Sequence, residues 1–263
     1  MLDPFDLVRK LKKTAAIYDV ATPGGPARHT DLTDAVVTLD PENVPELPST
    51  SRNNVRFFGC ERVVSSEDVD LIIDFYKDAG ASRFFFWLSP NSQLAEIKAW
   101  LLDRGLKQWT QAGYPTLLRR ADRLDEHSTG LVVRCVDSDE ASRYATDISL
   151  IYSDLRFDPI FVESCGAPGL HHFLAFDGDR AVSAGMLGIA DDVGSLGWMA
   201  TAEDARGKGG QSALIVERVN RAAELGCRWV VGSTLYALKS SLANMQRKGF
   251  EIVYDQEVYG FGI

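Results

Sequence analysis

The stretch from Arg206 to Leu214, RGKGGQSAL, combines three glycines, two cations and the start of a helix. Because Gly207, Gly209 and Gly210 lack a Cβ, the main chain can approach a ligand closely and point several N–H groups at one anion. The unsatisfied amides and the positive dipole end of the following helix add to this attraction. The chain is otherwise acidic, with 28 basic and 37 acidic residues. The stretch therefore predicts a site for a small anionic ligand.

The glycine spacing excludes two common nucleotide-binding patterns. A P-loop needs G-x-x-x-x-G-K-[ST], which is absent here, and a dinucleotide fingerprint needs a glycine where Ser212 stands. The arginine-centred pattern R-G-x-G, between a strand and a helix, instead resembles the pyrophosphate loop of the GNAT acetyltransferase superfamily, [QR]-x-x-G-x-[GA]. Arg206 and Gly209 match the first two fixed positions of that pattern. Gln211 departs from the third, where a glycine lets the main chain come closest to the phosphates.

The segments around the loop are typical of the second half of a GNAT domain. Before the loop, apolar strands are separated by Asp177-Gly178, which predicts a hairpin turn. After the loop, apolar residues recur at helical spacing up to the cap Gly226, and the apolar run CRWVVGSTL predicts a buried strand. Ser240 and Ser241 offer a cap to a second helix, which ends before the strand FEIVYD. This order extends the resemblance over about residues 131 to 263.

A similar order of elements occurs upstream. A helix runs from Asp68 to a glycine cap at Gly80, and a strand and a second helix lead to Gly105. The caps are 25 residues apart here (105 minus 80) and 23 apart downstream (249 minus 226). Acids precede the upstream helix where the downstream copy has RGKGG, and they would repel a pyrophosphate. We predict a degenerate GNAT-like domain without a cofactor loop over residues 1–121, and a GNAT acetyltransferase domain binding acetyl-CoA over residues 131–263. Two unrelated strand-helix-strand units are the alternative.

The resemblance implies a fold of the α/β (α+β) class with tandem GNAT-like domains. Each domain would contain a mixed, mostly antiparallel twisted sheet flanked by helices. A length of 263 residues and a hydrophobic fraction of 45% agree with two modest domains. The polar stretch ADRLDEHSTG, from Ala121 to Gly130, marks the predicted boundary.

Composition excludes several classes of partner. No apolar run is long enough to span a bilayer, and the first residues lack a signal-peptide core. The four cysteines show no metal-type spacing, which is typical of reduced thiols in the cytoplasm. A net charge of −9 argues against nucleic acid as a partner. We therefore expect a cytoplasmic protein without membrane or nucleic-acid partners, and a homodimer is left open.

The resemblance implies direct transfer of an acetyl group from acetyl-CoA, the cosubstrate, to an amine. It places the pyrophosphate on the amides of the loop and the pantetheine arm along the preceding strand, GSLGWMAT, one of whose amides would polarise the thioester carbonyl. Asn244 would bond the pantetheine or cap its helix. The predicted cofactor-binding residues are Met199, Ala200, Thr201, Arg206, Gly207, Lys208, Gly209, Gly210, Gln211, Ser212 and Asn244.

Proton transfer is the task for which the residues give least guidance. Many GNAT enzymes place a tyrosine four residues before the Gly-Phe pair, where this chain has Met245, which cannot donate a proton. Either another group acts, or the thiolate leaves unassisted. The candidates are Tyr236, Ser241 and Tyr254 as proton donors, and Glu203, His171 and His172 as bases.

The resemblance implies that the acceptor is a small-molecule or peptide amine. The resemblance places its site at about residues 139 to 167, where Asp154, Asp158 and Glu163 could attract a cationic amine. Two other classes of function stay open. The chain could be a non-catalytic sensor or regulatory module for acetyl-CoA or CoA, as the missing tyrosine suggests. It could also be an interaction scaffold in which the glycine loop is only a tight turn.

Overall fold

The computed structural model describes most of the chain, namely residues 3–20, 28–40, 53–109, 113–125, 129–152, 162 and 164–262. The chain divides into two compact units. The first comprises Met1–Lys12, Gly25–Pro115 and Tyr254–Ile263, and the second comprises Lys13–Gly24 and Thr116–Val253. The division of the sequence into residues 1–121 and 131–263 as functional domains stays a prediction.

The described residues form both helices and strands. The helices are α1 (Pro4–Val20), α2 (Ser66–Asp78), α3 (Leu94–Asp103), α4 (Ala141–Tyr152), α5 (Gly210–Glu224) and α6 (Lys239–Arg247). The strands are β1 (Arg28–Leu32), β2 (Ala35–Leu39), β3 (Asn54–Arg56), β4 (Phe84–Leu88), β5 (Lys107–Gln108), β6 (Tyr114–Arg120), β7 (Val132–Val136), β8 (Leu170–Asp177), β9 (Arg180–Ala190), β10 (Val193–Thr201), β11 (Trp229–Ser233) and β12 (Glu251–Phe261).

The sheet of the first unit has the strand order β1-β2-β3-β4-β12, with the short β5 also on β12. Only β3 and β4 run parallel, and α2 connects them. The apolar face of α2 packs on this sheet through buried residues such as Val69, Ile72 and Tyr76. The ring of Tyr76 stacks on Phe84 of β4 at a centroid distance of 4.4 Å, which adds a specific aromatic contact to the core.

The sheet of the second unit has the order β6-β11-β10-β9-β8-β7. Again one pair, β10 and β11, is parallel and is joined by a helix, α5. Leu214, Ile215 and Val219 of α5 and Met245 of α6 pack on one face of the sheet, and Tyr144 and other residues of α4 pack on the opposite face. Both units therefore contain a mixed, mostly antiparallel sheet flanked by helices, which confirms the predicted fold class.

Each sheet takes one strand from the other half of the sequence. β6 follows α3 in the chain but pairs with β11, from Thr116↔Ser233 to Arg120↔Trp229. β12 follows α6 but pairs with β4 through residues 257 to 261. As a result, neither residues 1–121 nor residues 131–263 contain all the strands of a complete sheet, so the function of either unit is better tested by substitution than by truncation.

The glycines predicted to end helices do so. Gly80, Gly105, Gly226 and Gly249 have φ angles of 75°, 80°, 82° and 79°, in the left-handed region that favours glycine. Each follows α2, α3, α5 or α6 within two residues. The spacings of 25 and 23 residues between successive glycine caps are therefore present in the structure. Among the helices that the structure describes, none has the length and apolar character needed to cross a membrane.

Candidate functional site

The Gly-rich loop connects β10 to α5. A short 3-10 turn, Glu203–Ala205, comes first, and Arg206 to Gly209 then lead into the helix. Gly207 and Gly209 have φ angles of 85° and 86°, which a residue with a Cβ adopts only with strain. Gly209 is the N-cap of α5. The sequence therefore places glycine where the turn into the helix needs left-handed backbone.

The main-chain amides at this turn are open. Within the described residues, the N–H groups of Gly207, Gly209, Gly210, Gln211 and Ser212 donate to no protein acceptor. The first bonded amide of the helix belongs to Ala213, which donates to the carbonyl of Gly209 at 3.0 Å. Open amides at the positive end of a helix dipole form a site suited to an anion.

Two of the loop glycines are also required by packing. A Cβ on Gly210 would overlap Oγ of the buried Ser183, and a Cβ on Gly209 would overlap Cγ2 of Thr129. Ser183 Oγ in turn donates to Oγ1 of Thr201 at 2.9 Å, so the start of α5 lies directly on β9 and β10. A Cβ on Gly207 would meet no atom within 4 Å. Of the three loop glycines, Gly207 is thus the one at which an added side chain would have room.

The side chains of the two loop cations, Arg206 and Lys208, differ in how closely they pair with an acidic residue. The side chain of Arg206 is 68% exposed, and its Nη1 lies 3.9 Å from Oε1 of Glu203, a loose surface pair. Lys208 instead makes a close ion pair, with 2.9 Å between its Nζ and Oδ2 of Asp177 at the end of β8. Arg206 is therefore the cation that can turn most readily towards an anion at the open amides.

β10 separates from β11 just before the loop. The parallel pairing ends at Leu196↔Gly232, whereas β10 continues to Thr201. On its other side β10 has a bulge, in which Trp198 and Met199 stand opposite Gly185 of β9, and Trp198 has a φ angle of 46°. Met199, Ala200 and Thr201, predicted to bind pantetheine, therefore lie on a strand segment that β11 does not pair.

A polar network joins the first turn of α5 to α6. Gln211 Nε2 donates to Ser241 Oγ at 2.8 Å, and Asn244 Nδ2 donates to Gln211 Oε1 at 2.6 Å. Arg247 also donates to Asn244. The structure thus brings together three predicted site residues. The predicted cap by Ser240 and Ser241 is wrong, because α6 begins at Lys239 with Leu238 at its N-cap.

The positions of Asn244 and Gln211 in this network bear on what was predicted for each of them. Asn244 lies in the second turn of α6, so it does not cap the helix. Gln211 departs from the GNAT loop pattern, yet its main-chain N–H remains open and only its side chain is engaged with α6. The departure therefore leaves the amide needed for an anion in place.

The candidate catalytic residues are spread over several elements. The side chain of Glu203 is 91% exposed in the 3-10 turn, beside Arg206. Tyr236 lies half-buried in the turn after β11, and Ser241 is in the network described above. Tyr254 lies on β12, in a segment that belongs to the first compact unit. The catalytic roles of these four residues stay predictions.

The two histidines named as bases differ in burial. His172 is 1% exposed, and its Nε2 lies 3.1 Å from the carbonyl oxygen of Ser164. Burial lowers the pKa of His172 to about 4, and it also lowers the pKa of the half-buried His171. The ring of His172 packs edge-on against Tyr144 in the core, so its contacts are those of a packing residue.

Other predicted features can be placed only in part. Asp154, Asp158 and Glu163, the acids proposed to attract the acceptor, lie outside the described residues. Cys60, Cys135, Cys165 and Cys227 are free thiols. In the described part of the chain, no group of three or more histidine, cysteine or acidic side chains could hold a metal ion.

Arg218 is a residue near the site that was not predicted from the sequence. This arginine is fully buried in α5, and its guanidinium reaches the bulge of β10. The helical pattern of Leu214, Ile215 and Val219 places residue 218 on the same apolar face. A charged residue on such a face is unusual, and this is the feature of the sequence that could have identified Arg218.

Comparisons with known proteins identify the fold. No protein-family model matches the sequence, and no curated protein matches it. Among solved structures, a GCN5-related N-acetyltransferase from Kribbella flavida matches 98% of this chain and 94% of its own, with 15% identity and a TM-score of 0.65. A tandem GNAT protein from the clavulanic acid biosynthesis pathway matches 97% of this chain and 92% of its own, with 11% identity and a TM-score of 0.64.

A third solved structure agrees with these two. The GCN5-related N-acetyltransferase from Sphaerobacter thermophilus matches 86% of this chain and 79% of its own, with 14% identity and a TM-score of 0.54. At such low identity a likeness establishes fold and leaves activity to the residues of the site. The open loop, the separated strands and these likenesses together show that the chain has the GNAT acetyltransferase fold.

Proposed function

We propose that the protein is an acetyl-CoA-dependent N-acetyltransferase that transfers an acetyl group directly to an amine. The observation that carries the proposal is the run of open main-chain amides at Gly207 and from Gly209 to Ser212. They lie at the start of α5, immediately after the segment of β10 that separates from β11. An anion-binding turn beside an unpaired strand edge fits a ligand with a pyrophosphate and an extended, amide-containing arm.

Cofactor binding follows from this arrangement. The open amides would hold the pyrophosphate, and Arg206 would add charge from its exposed position. Charge-assisted hydrogen bonds of this kind contribute about 1.5 to 3 kcal/mol each, so the loop could provide much of the affinity. Met199, Ala200 and Thr201 would bond the pantetheine arm as a neighbouring strand does. Gln211 and Asn244 would fix α6 against the loop.

The chemical step places two demands on the chain. Bound acetyl-CoA supplies an activated thioester. A main-chain amide near the bulge of β10 would donate to the carbonyl oxygen as the amine attacks, and loss of such a donor commonly lowers the rate about a hundredfold or more. The carbon–nitrogen bond forms while the carbon–sulfur bond breaks, and the amine proton passes to solvent or to a base such as Glu203. Met245 is buried against Gly232 and offers the leaving thiolate no proton.

Two measurements test the proposal in sequence. Calorimetric titration with acetyl-CoA should show binding to one site per chain, and no binding at millimolar ligand would contradict the assignment. Thiol release from acetyl-CoA should then depend on an added amine, tested across small-molecule amines and peptide amino termini. Binding without amine-dependent thiol release from any acceptor would contradict turnover.

A non-catalytic acetyl-CoA or CoA sensor is the second candidate. Buried Met245, in place of the usual tyrosine, favours it. Binding of acetyl-CoA without thiol release would support the sensor over the enzyme. Absence of binding would leave the scaffold role, in which the loop is only a turn. We further propose a cytoplasmic location, in keeping with the four free thiols.

A further inference from the structure

We propose that Arg218 is a positioning residue that fixes the bulge of β10 and, through it, the strand edge that receives the pantetheine arm. The inference rests on the proposed function for its ligand, and on geometry for the bulge itself. Arg218 is fully buried in the middle of α5, on the face that packs against the sheet. Burying a guanidinium is costly, so its bonds to neighbouring groups must compensate.

The contacts of Arg218 converge on the bulge. Its Nη1 donates to the carbonyl of Met186 on β9 at 3.0 Å and to the carbonyl of Gly197 on β10 at 3.3 Å. Met186 and Gly197 face each other in the ladder, at the last pair before the bulge. Nη2 contacts Sδ of Met199 at 2.7 Å, and Nε donates to Leu214 within α5. One planar group therefore holds both strands where their regular pairing stops.

The sequence makes room for this group opposite the bulge. A Cβ on Gly185 would lie 2.8 Å from Nη1 and 2.9 Å from Cζ of Arg218, so glycine is needed for the guanidinium to fit. Trp198, in the bulge, has a φ angle of 46°, which residues other than glycine keep only when their surroundings hold them there. Gly185, the bulge and Arg218 thus form one interlocked unit.

The consequence concerns the direction of β10 after Gly197. The rigid fork of a guanidinium can hold two carbonyls and a sulfur at fixed positions, which a methionine or lysine side chain cannot do. Without it the bulge can relax, and Met199 to Thr201 shift relative to β11. The open amides from Gly209 to Ser212 make no bond to Arg218 and should keep their places.

The experiment compares two ligands that share one end. Acetyl-CoA contains the pantetheine arm, and 3′-phosphoadenosine 5′-diphosphate contains only the nucleotide and its phosphates. In Arg218→Met, calorimetry should show a loss of acetyl-CoA affinity of roughly tenfold or more, from lost main-chain bonds. Binding of the nucleotide should change by no more than about twofold, as for a remote substitution. Arg218→Lys, which keeps the charge but loses the fork, should behave like Arg218→Met.

The matched control is Arg221→Met, on the same helix, where the arginine pairs with Glu224 near the surface. It should leave both affinities unchanged. Equal losses for both ligands in Arg218→Met would overturn the proposal, because they would indicate a general structural role. Unchanged binding of acetyl-CoA would overturn it as well.

A second variant covers the case in which Arg218→Met does not fold. Gly185→Ala pushes on the guanidinium from the opposite strand and should produce the same selective loss of acetyl-CoA affinity. If the wild-type protein binds neither ligand, the proposed function fails, and hydrogen exchange of the ligand-free protein still decides the structural claim. Exchange at residues 197 to 201 should be faster in Gly185→Ala than in Arg221→Met, and equal exchange would overturn the proposal.

Discussion

Each half of the molecule contains a loop between a strand and a helix, and the two loops differ in whether their main-chain amides are bonded to protein. Each loop connects a strand to a helix that leads to a parallel neighbouring strand: β3 to α2, and β10 to α5. In the first loop, the carboxylate of Asp34 accepts the N–H groups of Gly59 and Glu61 at 3.0 Å and of Arg62 at 3.4 Å. In the second, the amides at Gly207 and from Gly209 to Ser212 have no protein acceptor among the described residues.

Side chains of the protein also cap the start of α2, the helix that follows the first loop. Asp68 accepts the N–H of Ser65 at 2.9 Å in a capping box, and Gln93 accepts the N–H of Val64 at 2.8 Å. α5 has Gly209 at its N-cap, which supplies no side chain. The chain's own carboxylate thus completes the amide-rich turn of the first half, whereas the turn of the second half has amides without a protein acceptor among the described residues.

The strands that precede the two loops differ in how much of their length pairs with the parallel neighbouring strand. β3 has three residues, and all of them pair with β4. β10 has nine residues, of which four pair with β11. Among the described strands, β10 therefore extends beyond its parallel neighbour, next to an open turn, and β3 does not. This difference supports the proposal that the second half binds the cofactor.

The largest effect is expected from adding a carboxylate to the open loop. Gly207→Asp has room for its side chain, and it should lower acetyl-CoA affinity about a hundredfold or more through like-charge repulsion. Gly207→Asn carries nearly the same shape and backbone strain without the charge. Calorimetry should show a much smaller loss for Gly207→Asn, and equal losses in the two variants would contradict an anion at this turn.

Removing the internal carboxylate should destabilise the first unit. Asp34 is 6% exposed, and Asp34→Ala leaves three amides without their acceptor, at a cost of about 3 kcal/mol in the free energy of unfolding. Added acetate or formate should restore part of this stability. Urea unfolding measures both effects, with Asp34→Asn as the milder control. A stable Asp34→Ala protein would contradict the stabilising role of Asp34, and weakened acetyl-CoA binding in this variant would show that the two loops are not independent.

Acid should weaken the second unit through His172. Its folded-state pKa of about 4 lies below its ordinary value of 6.5, so the unfolded chain takes up the proton first as the pH falls. The stability that neutral His172 provides is complete above about pH 6.5 and is lost towards about pH 4, with about 2 kcal/mol lost between about pH 7 and 5. Urea unfolding of His172→Gln should lack this loss. An unchanged pH dependence in the variant would refute the assignment.

The smallest effect separates the two loop cations. Arg206→Gln should lower acetyl-CoA affinity about tenfold, because Arg206 is exposed and only loosely paired. Lys208→Gln should have less effect, since Lys208 is already engaged by Asp177. Titrations at two salt concentrations measure both losses, and a greater loss in Lys208→Gln would reverse the roles given to these residues.

Local features of this fold were predictable from the sequence. Glycine has a distinctive backbone preference, so the caps at Gly80, Gly105, Gly226 and Gly249 fixed where helices end. The loop glycines likewise marked the turn before α5. The cap of α6 was misplaced at Ser240 and Ser241, because a serine in the first turn of a helix has the same local signature as one at its cap.

Features that depend on distant contacts could not be predicted. The pairing of β6 with β11 and of β12 with β4 joins strands far apart in the chain, and apolar patterns do not identify partners. Arg218 contacts β9 and β10, and Asp34 contacts the first loop, so neither belongs to a recognisable local motif. The roles of Tyr236 and Tyr254 remain predictions for the same reason.

Hydrogen exchange with and without acetyl-CoA can show whether the ligand binds at the amides of the second loop. It reports on the amides of both loops in the intact protein at once. Acetyl-CoA should slow exchange at residues 207 to 212 and leave exchange at residues 59 to 65 unchanged. Unchanged exchange at residues 207 to 212 with saturating ligand, or protection confined to residues 59 to 65, would contradict binding at the second loop.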